Sequence, residues 1–380
     1  MARLGDVCTI VSGSTPKSNI PEYWDGDIKW ITPAELNEDS YIIYDSVRHL
    51  TPLGVAKTGL KPFPAGTVIL SSRAPIGKTA IAGCEMYCNQ GFKNLICSDK
   101  VNPRYLYWFL SCNTEYLNSL GRGATFKEIS KEIVANIEIP LPSLEQQVTI
   151  SEKFEKISEL ISLRKEQLTK LDQLVKARFV EMFGDSLHNR NTVSLEEISD
   201  FVTVGIANSA THAYADSGIV MLRNQNIKEN YLDDNDLIYI TPDFAKKYGS
   251  KQLAENDILV IRTGYPGVAC LVPKKYEGCQ TFTTLIVRLK NSTPAHTNYV
   301  CHYINSSFGK GYVEQSKVGV AQQNFGAKAL AKMPIAVPPM ELQEQFAAFV
   351  EQTNKTKLTI QASLDKLEVM KKALMQEYFG

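Results

Sequence analysis

A chain of 380 residues with 44% apolar and 22% charged side chains has the composition of a folded protein and is too long for one ordinary core, so two or three domains are expected. Its 41 basic and 41 acidic side chains cancel, so binding to nucleic acid would need basic groups sorted onto one face, or a positive field lent by partners. No run of about 18 apolar residues is present, which excludes a membrane-spanning helix, and the opening Met1–Thr9, with Arg3 and Asp6, does not read as an export signal.

In chain order, Asp27–Thr32 and Thr67–Ser71 read as strands, because β-branched and aromatic residues there are bounded by Gly, Pro and Asp. Pro103–Leu120 has helical periodicity, with Leu106, Phe109, Leu110, Leu117 and Leu120 on one stripe. Gly121-Arg122-Gly123 breaks it, a short helical stretch over Phe126–Val134 follows, and Ile137–Leu141 leads into a proline turn. A long helical pattern then runs to Phe183-Gly184, where it is expected to stop. The eight cysteines form no CxxC pair and read as reduced, mostly buried thiols of a cytoplasmic protein.

The second half repeats this plan. Residues 139–184 align without a gap on 335–380, an offset of 196, with Ile139, Pro142, Glu145, Gln147, Glu155, Leu168, Lys170, Leu171, Lys176, Ala177, Glu181, Phe183 and Gly184 each meeting an identical residue. A period that long is not a solenoid, whose units run about 20–50 residues; it indicates two similar halves, each a globular part followed by a long helix. Looser matches extend upstream. Ile28–Thr32 lines up with Ile219–Arg223, and Val68–Leu70 with Ile258–Val260. Arg73, Pro75 and Gly77 line up with Arg262, Pro266 and Gly267, and Gln90, Phe92, Leu95 and Ile96 with Gln280, Phe282, Leu285 and Ile286. Tyr105 matches Tyr299, and Gly123 matches Gly319. Scaffold positions recur while the polar positions between them differ. Residues 1–139 hold 14 basic and 14 acidic side chains and 186–335 hold 15 and 13, so neither globular part is basic.

In the first long helix, Phe154, Ile157, Ile161, Leu168, Leu171, Val175 and Met182 form a heptad-like seam; in the second, Val350, Ile360, Leu364, Leu367 and Leu374 hold the equivalent places, interrupted by Thr353, Lys357 and Lys371. Roughly 38 helical residues at 1.5 Å each give about 55 Å. A stripe of that length needs a partner, and the other copy packed antiparallel is the expected one.

The tandem signature resembles the specificity subunits of Type I restriction–modification systems. It is a Gly-rich turn, a short helix, then Ile137-Glu138-Ile139-Pro140-Leu141-Pro142-Ser143-Leu144-Glu145-Gln146-Gln147, with a second copy over Met333–Gln345 and Phe-Gly closing both helices. The resemblance covers the whole chain. It implies an α+β fold with two α/β target-recognition domains (1–139 and 186–335). Each is followed by a helical spacer (140–185 and 336–380), and the spacers pack as an antiparallel coiled coil with pseudo-two-fold symmetry. It further implies that each domain reads half of a split site on double-stranded DNA and that the chain does no chemistry. The partners implied are two adenine methyltransferase subunits and restriction/translocase subunits, which would carry S-adenosylmethionine, Mg2+ and ATP. The alternative is a coiled-coil scaffold joining two protein-binding modules.

Candidate DNA contacts follow from side-chain chemistry. Arg73 and Lys78, and Arg262 and Tyr265, lie in the recurring Gly/Pro loop, where arginine could grip guanine or phosphate. Amide-rich stretches supply Asn89, Lys93 and Asn94, then Arg223, Asn224 and Gln225, then Gln322, Gln323 and Asn324; asparagine and glutamine can read adenine. Thr15 and Lys17, Arg122 and Thr125, and Thr283 suit phosphate or base-edge contacts. His296, His302 and the Cys84/Cys88 pair lack metal-ligand spacing and read as structural. No Asn/Asp-Pro-Pro-aromatic tetrapeptide and no GxxxxGK[ST] occurs, so methyl transfer and nucleotide hydrolysis are expected on other chains.

Overall fold

The computed structural model describes every residue except 39, 124–126, 188–191, 208–210 and 319–323. It divides into two compact units, Met1–Lys165 with Ala362–Gly380, and Glu166–Gln361. Both divisions fall inside the long helices.

In the first unit a five-stranded sheet takes the order Cys8–Val11, Asn94–Cys97, Val68–Leu70, Thr79–Ala82, Ile42–Ile43, and a three-stranded sheet the order Arg48–Leu50, Trp24–Ile31, Tyr87–Cys88. Helix Pro103–Cys112 packs on the larger sheet. Asn102 caps it, its side chain accepting from the Arg104 and Tyr105 amides, and proline occupies the first turn. Six consecutive residues, Tyr105–Leu110, are buried, so burial extends around the helix beyond the expected stripe of Leu106, Phe109 and Leu110, while Arg104 stays exposed. The helical periodicity expected over Pro103–Leu120 is two helices, with Asn113 ending one and a second over Thr114–Ser119.

The second unit repeats the plan. One four-stranded sheet runs Ser199–Val204, Leu285–Leu289, Ile258–Val260, Ala269–Leu271; another runs Tyr214–Ala215, Ile238–Ile240, Ile219–Leu222, Gln280–Thr281. Helix Thr297–Asn305 stands where Pro103–Cys112 stands in the first unit. Strand register corrects part of the sequence alignment. Leu95 pairs with Val68, but the residue that pairs with Ile258 is Val287, not Leu285. Likewise Trp30 and Ile31 pair with Tyr87 and Cys88, and Met221 and Leu222 pair with Gln280 and Thr281. Gln280 therefore corresponds to Tyr87 rather than to Gln90. Gln90 is exposed and accepts from the Thr15 hydroxyl (2.5 Å), whereas Gln280 is fully buried and donates to the Ala245 and Tyr248 carbonyls (2.8 and 2.9 Å). At Leu95 the slip is two residues, which preserves strand alternation and leaves the apolar pattern unchanged, whereas at Gln280 it is three and rests on the shared glutamine alone.

The long helices cover Leu144–Leu187 and Met340–Phe379, 44 and 40 residues. Their starts keep the 196-residue offset, and the second helix continues to Phe379, next to the last residue. The first helix runs through Phe183-Gly184 instead of stopping there; a helical glycine costs only about 1 kcal/mol, less than the burial of Phe183 returns. Within the first unit Phe154 stacks on Phe379 (centroids 5.5 Å apart) and Lys165 pairs with Glu368 (3.8 Å), so the helix segments run antiparallel. Within the second, Phe183 meets Phe346 (5.5 Å) and Asp172 meets Lys357 (2.5 Å), again antiparallel. Of the expected seam, Phe154, Ile157, Val175, Val350 and Leu364 are buried; Ile161, Leu168, Leu171, Ile360, Leu367 and Leu374 are half-buried. Thr353, expected as a break, is buried with its hydroxyl on the Phe349 carbonyl (2.8 Å).

One side chain joins helix to domain in both units. Gln147 is fully buried; its Oε1 accepts from the Asn102 amide (2.8 Å) and its Nε2 donates to the Lys100 and Pro142 carbonyls (3.1 and 2.9 Å). Gln343 does the same, accepting from the His296 amide (2.8 Å) and donating to the Pro294 and Pro338 carbonyls (3.0 and 2.7 Å). Tyr105 and Tyr299 add matched hydroxyl bonds to the Pro140 and Ala336 carbonyls (2.9 and 2.8 Å). His296 is a helix cap, its Nδ1 accepting from the Asn298 amide (3.2 Å).

Candidate nucleic-acid interface

The loops singled out by composition converge within each unit. In the first, loop 71–78 is closed by backbone bonds between Ser71 and Lys78 (2.8 Å) and from Gly77 to Ser71 (3.0 Å). In the second, loop 261–268 closes identically, Ile261 to Val268 (2.8 Å) and Gly267 to Ile261 (2.9 Å). Ala74 and Gly264 then occupy the same position, both left-handed at φ 51° and 86°, a conformation glycine adopts freely and alanine at a cost. This superposition moves the arginines: Arg262 corresponds to Ser72, and the partner of Arg73 is Thr263. An arginine in each loop is real; their shared register is not.

A third segment crosses each loop. Arg73 and Arg122 both bridge to Glu128, and Thr263 and Val318 both bridge to Asn324. Side chains follow. Glu128 lies 3.0 Å from Lys93 Nζ and 3.8 Å from Arg73 Nη1, and accepts from the Ser72 hydroxyl (3.4 Å). Asn324 Oδ1 accepts from Arg262 Nε (3.0 Å), and Asn224 Nδ2 donates to the Thr263 carbonyl and hydroxyl (both 3.2 Å). The Arg223 guanidinium donates to the Asp236 carbonyl.

The remaining candidates sort by exposure. Lys17, Thr15, Arg122, Gln225 and Tyr265 are exposed; Arg73, Asn89, Arg223, Asn224, Arg262, Thr283 and Asn324 are half-buried. Tyr265 is 82% exposed at the tip of its loop. Lys93 and Asn94 are buried, and Asn94 Nδ2 donates to Cys88 Sγ (3.2 Å). The Lys78 ammonium is taken by the Pro33 and Leu36 carbonyls (3.2 and 2.5 Å), and the Asn89 side chain by the Gly91 amide (2.9 Å). These four hold loops in place. Thr125, Gln322 and Gln323 lie outside the described residues. Thr283 sits at φ 59°, an outlier for a β-branched residue that marks a locally constrained backbone.

A family model described as the Type I restriction modification DNA specificity domain matches residues 1–173 and 189–369. The chain belongs to that family. Among relatives, the MjaIX specificity subunit of Methanocaldococcus jannaschii is 39% identical over 186 residues, 48% of this chain and 43% of that protein. The chain thus spans less than half of that relative in the match. The EcoKI specificity subunit of Escherichia coli K12 is 20% identical over 379 residues, 93% of this chain and 81% of that protein. Among solved structures, the S subunit of a Type I restriction–modification system from M. genitalium aligns over 100% of this chain and 95% of its own, at 13% identity and a TM-score of 0.59. A structure from work on assembly and conformational transition of the type I R-M system aligns over 100% and 96% at 18% identity and a TM-score of 0.63. These likenesses carry the fold: two α/β specificity domains, a long central helix and a C-terminal helix.

For a member of this family, the residue the sequence reading passed over is Glu128. An acid inside a charge-neutral stretch carries no composition signal, and its role emerges only where loops distant in sequence meet. Among the described residues no group of three or more His, Cys, Asp or Glu is placed to hold a metal, and no helix is long and apolar enough to cross a membrane.

Proposed function

We propose that the chain is the DNA sequence-specificity subunit of a Type I system. On this reading it does no chemistry, reads a bipartite double-stranded site and directs two adenine methyltransferase subunits and restriction/translocase subunits to it, in the cytoplasm. The observation that carries the reading is the double match to the specificity domain, combined with one scaffold whose crossing loops differ in the two units. The same scaffold holding Arg73, Glu128 and Lys93 in one unit and Arg262, Asn324 and Tyr265 in the other suits two readers of unlike sequences. Arg122, Arg223 and Gln225 lie at the same loops as phosphate or base contacts, and Lys17, exposed in a separate early loop, suits a phosphate contact. S-adenosylmethionine, Mg2+ and ATP belong to the partner subunits.

On this reading the paired helices set the gap between half-sites. The test is to express the full chain with its methyltransferase subunits and map methylated adenines on genomic DNA. The wild type yields one split motif. Inserting one helical turn beside Gln167, and another in the second helix near Gln361, lengthens the paired segment by about 5.4 Å, or roughly one to two base pairs at 3.4 Å each. Both half-site sequences then stay the same and their spacing grows. Altered half-sites at constant spacing defeat the spacer role, and absence of any motif defeats the DNA reading in favour of a protein scaffold.

A further inference from the structure

Glu128 and Asn324 occupy one position in the fold, and they stand 196 residues apart, the offset that also pairs Gly123 with Gly319 and the two long helices. Glu128 exchanges backbone hydrogen bonds with Arg122 (both 3.0 Å) on one side and bridges Arg73 on the other, while Ile129 donates to the Ser72 carbonyl (3.0 Å). Asn324 exchanges bonds with Val318 (3.0 and 2.9 Å) and bridges Thr263, while Phe325 donates to the Arg262 carbonyl (2.9 Å). The two arginines come from adjacent registers of the loop, yet each delivers its guanidinium to this one acceptor. What the fold keeps is the slot.

The two occupants hold arginine differently. Asn324 takes Nε; among the described residues no other acceptor holds that guanidinium, so both terminal nitrogens of the Arg262 fork remain for a bidentate contact such as guanine O6 and N7. Glu128 faces Arg73 through Nη1 at 3.8 Å and shares its charge with buried Lys93, which leaves a different edge of the fork available. The Glu128 side chain is 38% exposed and that of Arg73 37%, so the pair is accessible to a ligand.

We propose that Glu128 and Asn324 are positioning residues for base readout, each aiming one arginine at one base edge, with the exchange of carboxylate for amide setting a different aim in the two half-sites. This rests on the DNA-reading function above. The experiment uses the full chain with its methyltransferase subunits and maps methylated sites for Glu128→Gln, Glu128→Asn, Asn324→Asp, Arg73→Lys and Arg262→Lys. Glu128 and Arg73 variants are expected to change discrimination about ten- to hundredfold at one and the same base of one half-site. Asn324 and Arg262 variants do so at one base of the other, with spacing and all remaining positions unchanged. A motif that survives intact while methylation falls evenly at all sites overturns the proposal, as do Glu128 and Arg73 variants that affect different bases. Glu128→Gln keeps the side-chain shape, so a Glu128→Asn variant that fails to fold leaves the test in force. A wild-type complex with no defined motif breaks the underlying function instead.

Discussion

Gln147 and Gln343 carry out one task in two places, with the same three backbone partners and the same complete burial. Glu128 and Asn324 fill one slot in two places and make different bonds. The first pair fastens each domain to its helix; the second faces the surface where the loops meet. Duplicated halves are free to diverge where side chains meet solvent or ligand, and are held where a buried group must satisfy three backbone partners at once. The largest expected effect tests that division. Replacing Gln147 or Gln343 by alanine orphans three backbone groups, at about 1–3 kcal/mol for each left unsatisfied. Allowing for entry of water, each unit should lose roughly 3–5 kcal/mol, read as a lower urea midpoint. A large loss in one unit and none in the other would show that the matched geometry hides unequal roles.

The matched glutamines were legible as identities at a fixed offset, and so were both helices, because burial of a seam leaves a period in the sequence. Phe179 and Phe346 were not assigned to the seam although both are buried in the second unit's core. They lie where helix meets domain, and that contact has no period of its own. The arginine loops were legible as loops, but their register was not, since Arg73 and Arg262 differ by one position that only backbone pairing reveals. Nothing local marked Glu128, whose partners Arg73 and Lys93 are 55 and 35 residues away.

A second difference between the units is a titratable one. Helices Pro103–Cys112 and Thr297–Asn305 superpose so that Trp108 and His302 take equivalent places. Trp108 stacks on Phe154 (5.4 Å) and His302 on Phe179 (6.2 Å). Burial pushes the His302 pKa down to about 4, with Glu229 opposing the shift and Lys176 adding to it. The imidazole is therefore neutral in the folded state, and the unfolded chain binds more protons between pH 6.5 and 4. Stability from this group is full above the unfolded pKa and is lost as pH falls through that window, by at most about 3.4 kcal/mol at 1.36 kcal/mol per pKa unit. Glu229 contributes in the same sense. Burial raises its pKa, but hydrogen bonds from Lys176 and Lys310 more than offset this and hold it below the usual carboxylate value. The second unit should accordingly unfold before the first in mild acid, followed by hydrogen exchange at pH 7 and pH 5. His302→Phe should narrow that gap; an unchanged gap would assign the acid sensitivity elsewhere.

The smallest effect concerns the Phe-Gly pair that ends both repeats. In the second helix Gly380 follows the last helical residue, and a Cβ there would stand 2.3 Å from Gln376 Nε2. In the first, Gly184 lies within Leu144–Leu187, and a Cβ would meet only Val180 Cγ1 at 3.7 Å, an ordinary contact. Glycine there carries the entropic cost of a helix interior without a steric reason for being glycine. Gly184→Ala should therefore stabilise the protein by about 0.5–1 kcal/mol, read as a higher denaturant midpoint with unchanged slope, whereas Gly380→Ala should not. If Gly184→Ala instead destabilises, the position needs the bare backbone for close approach of another chain, and the pair of glycines is functional rather than inherited with the repeat.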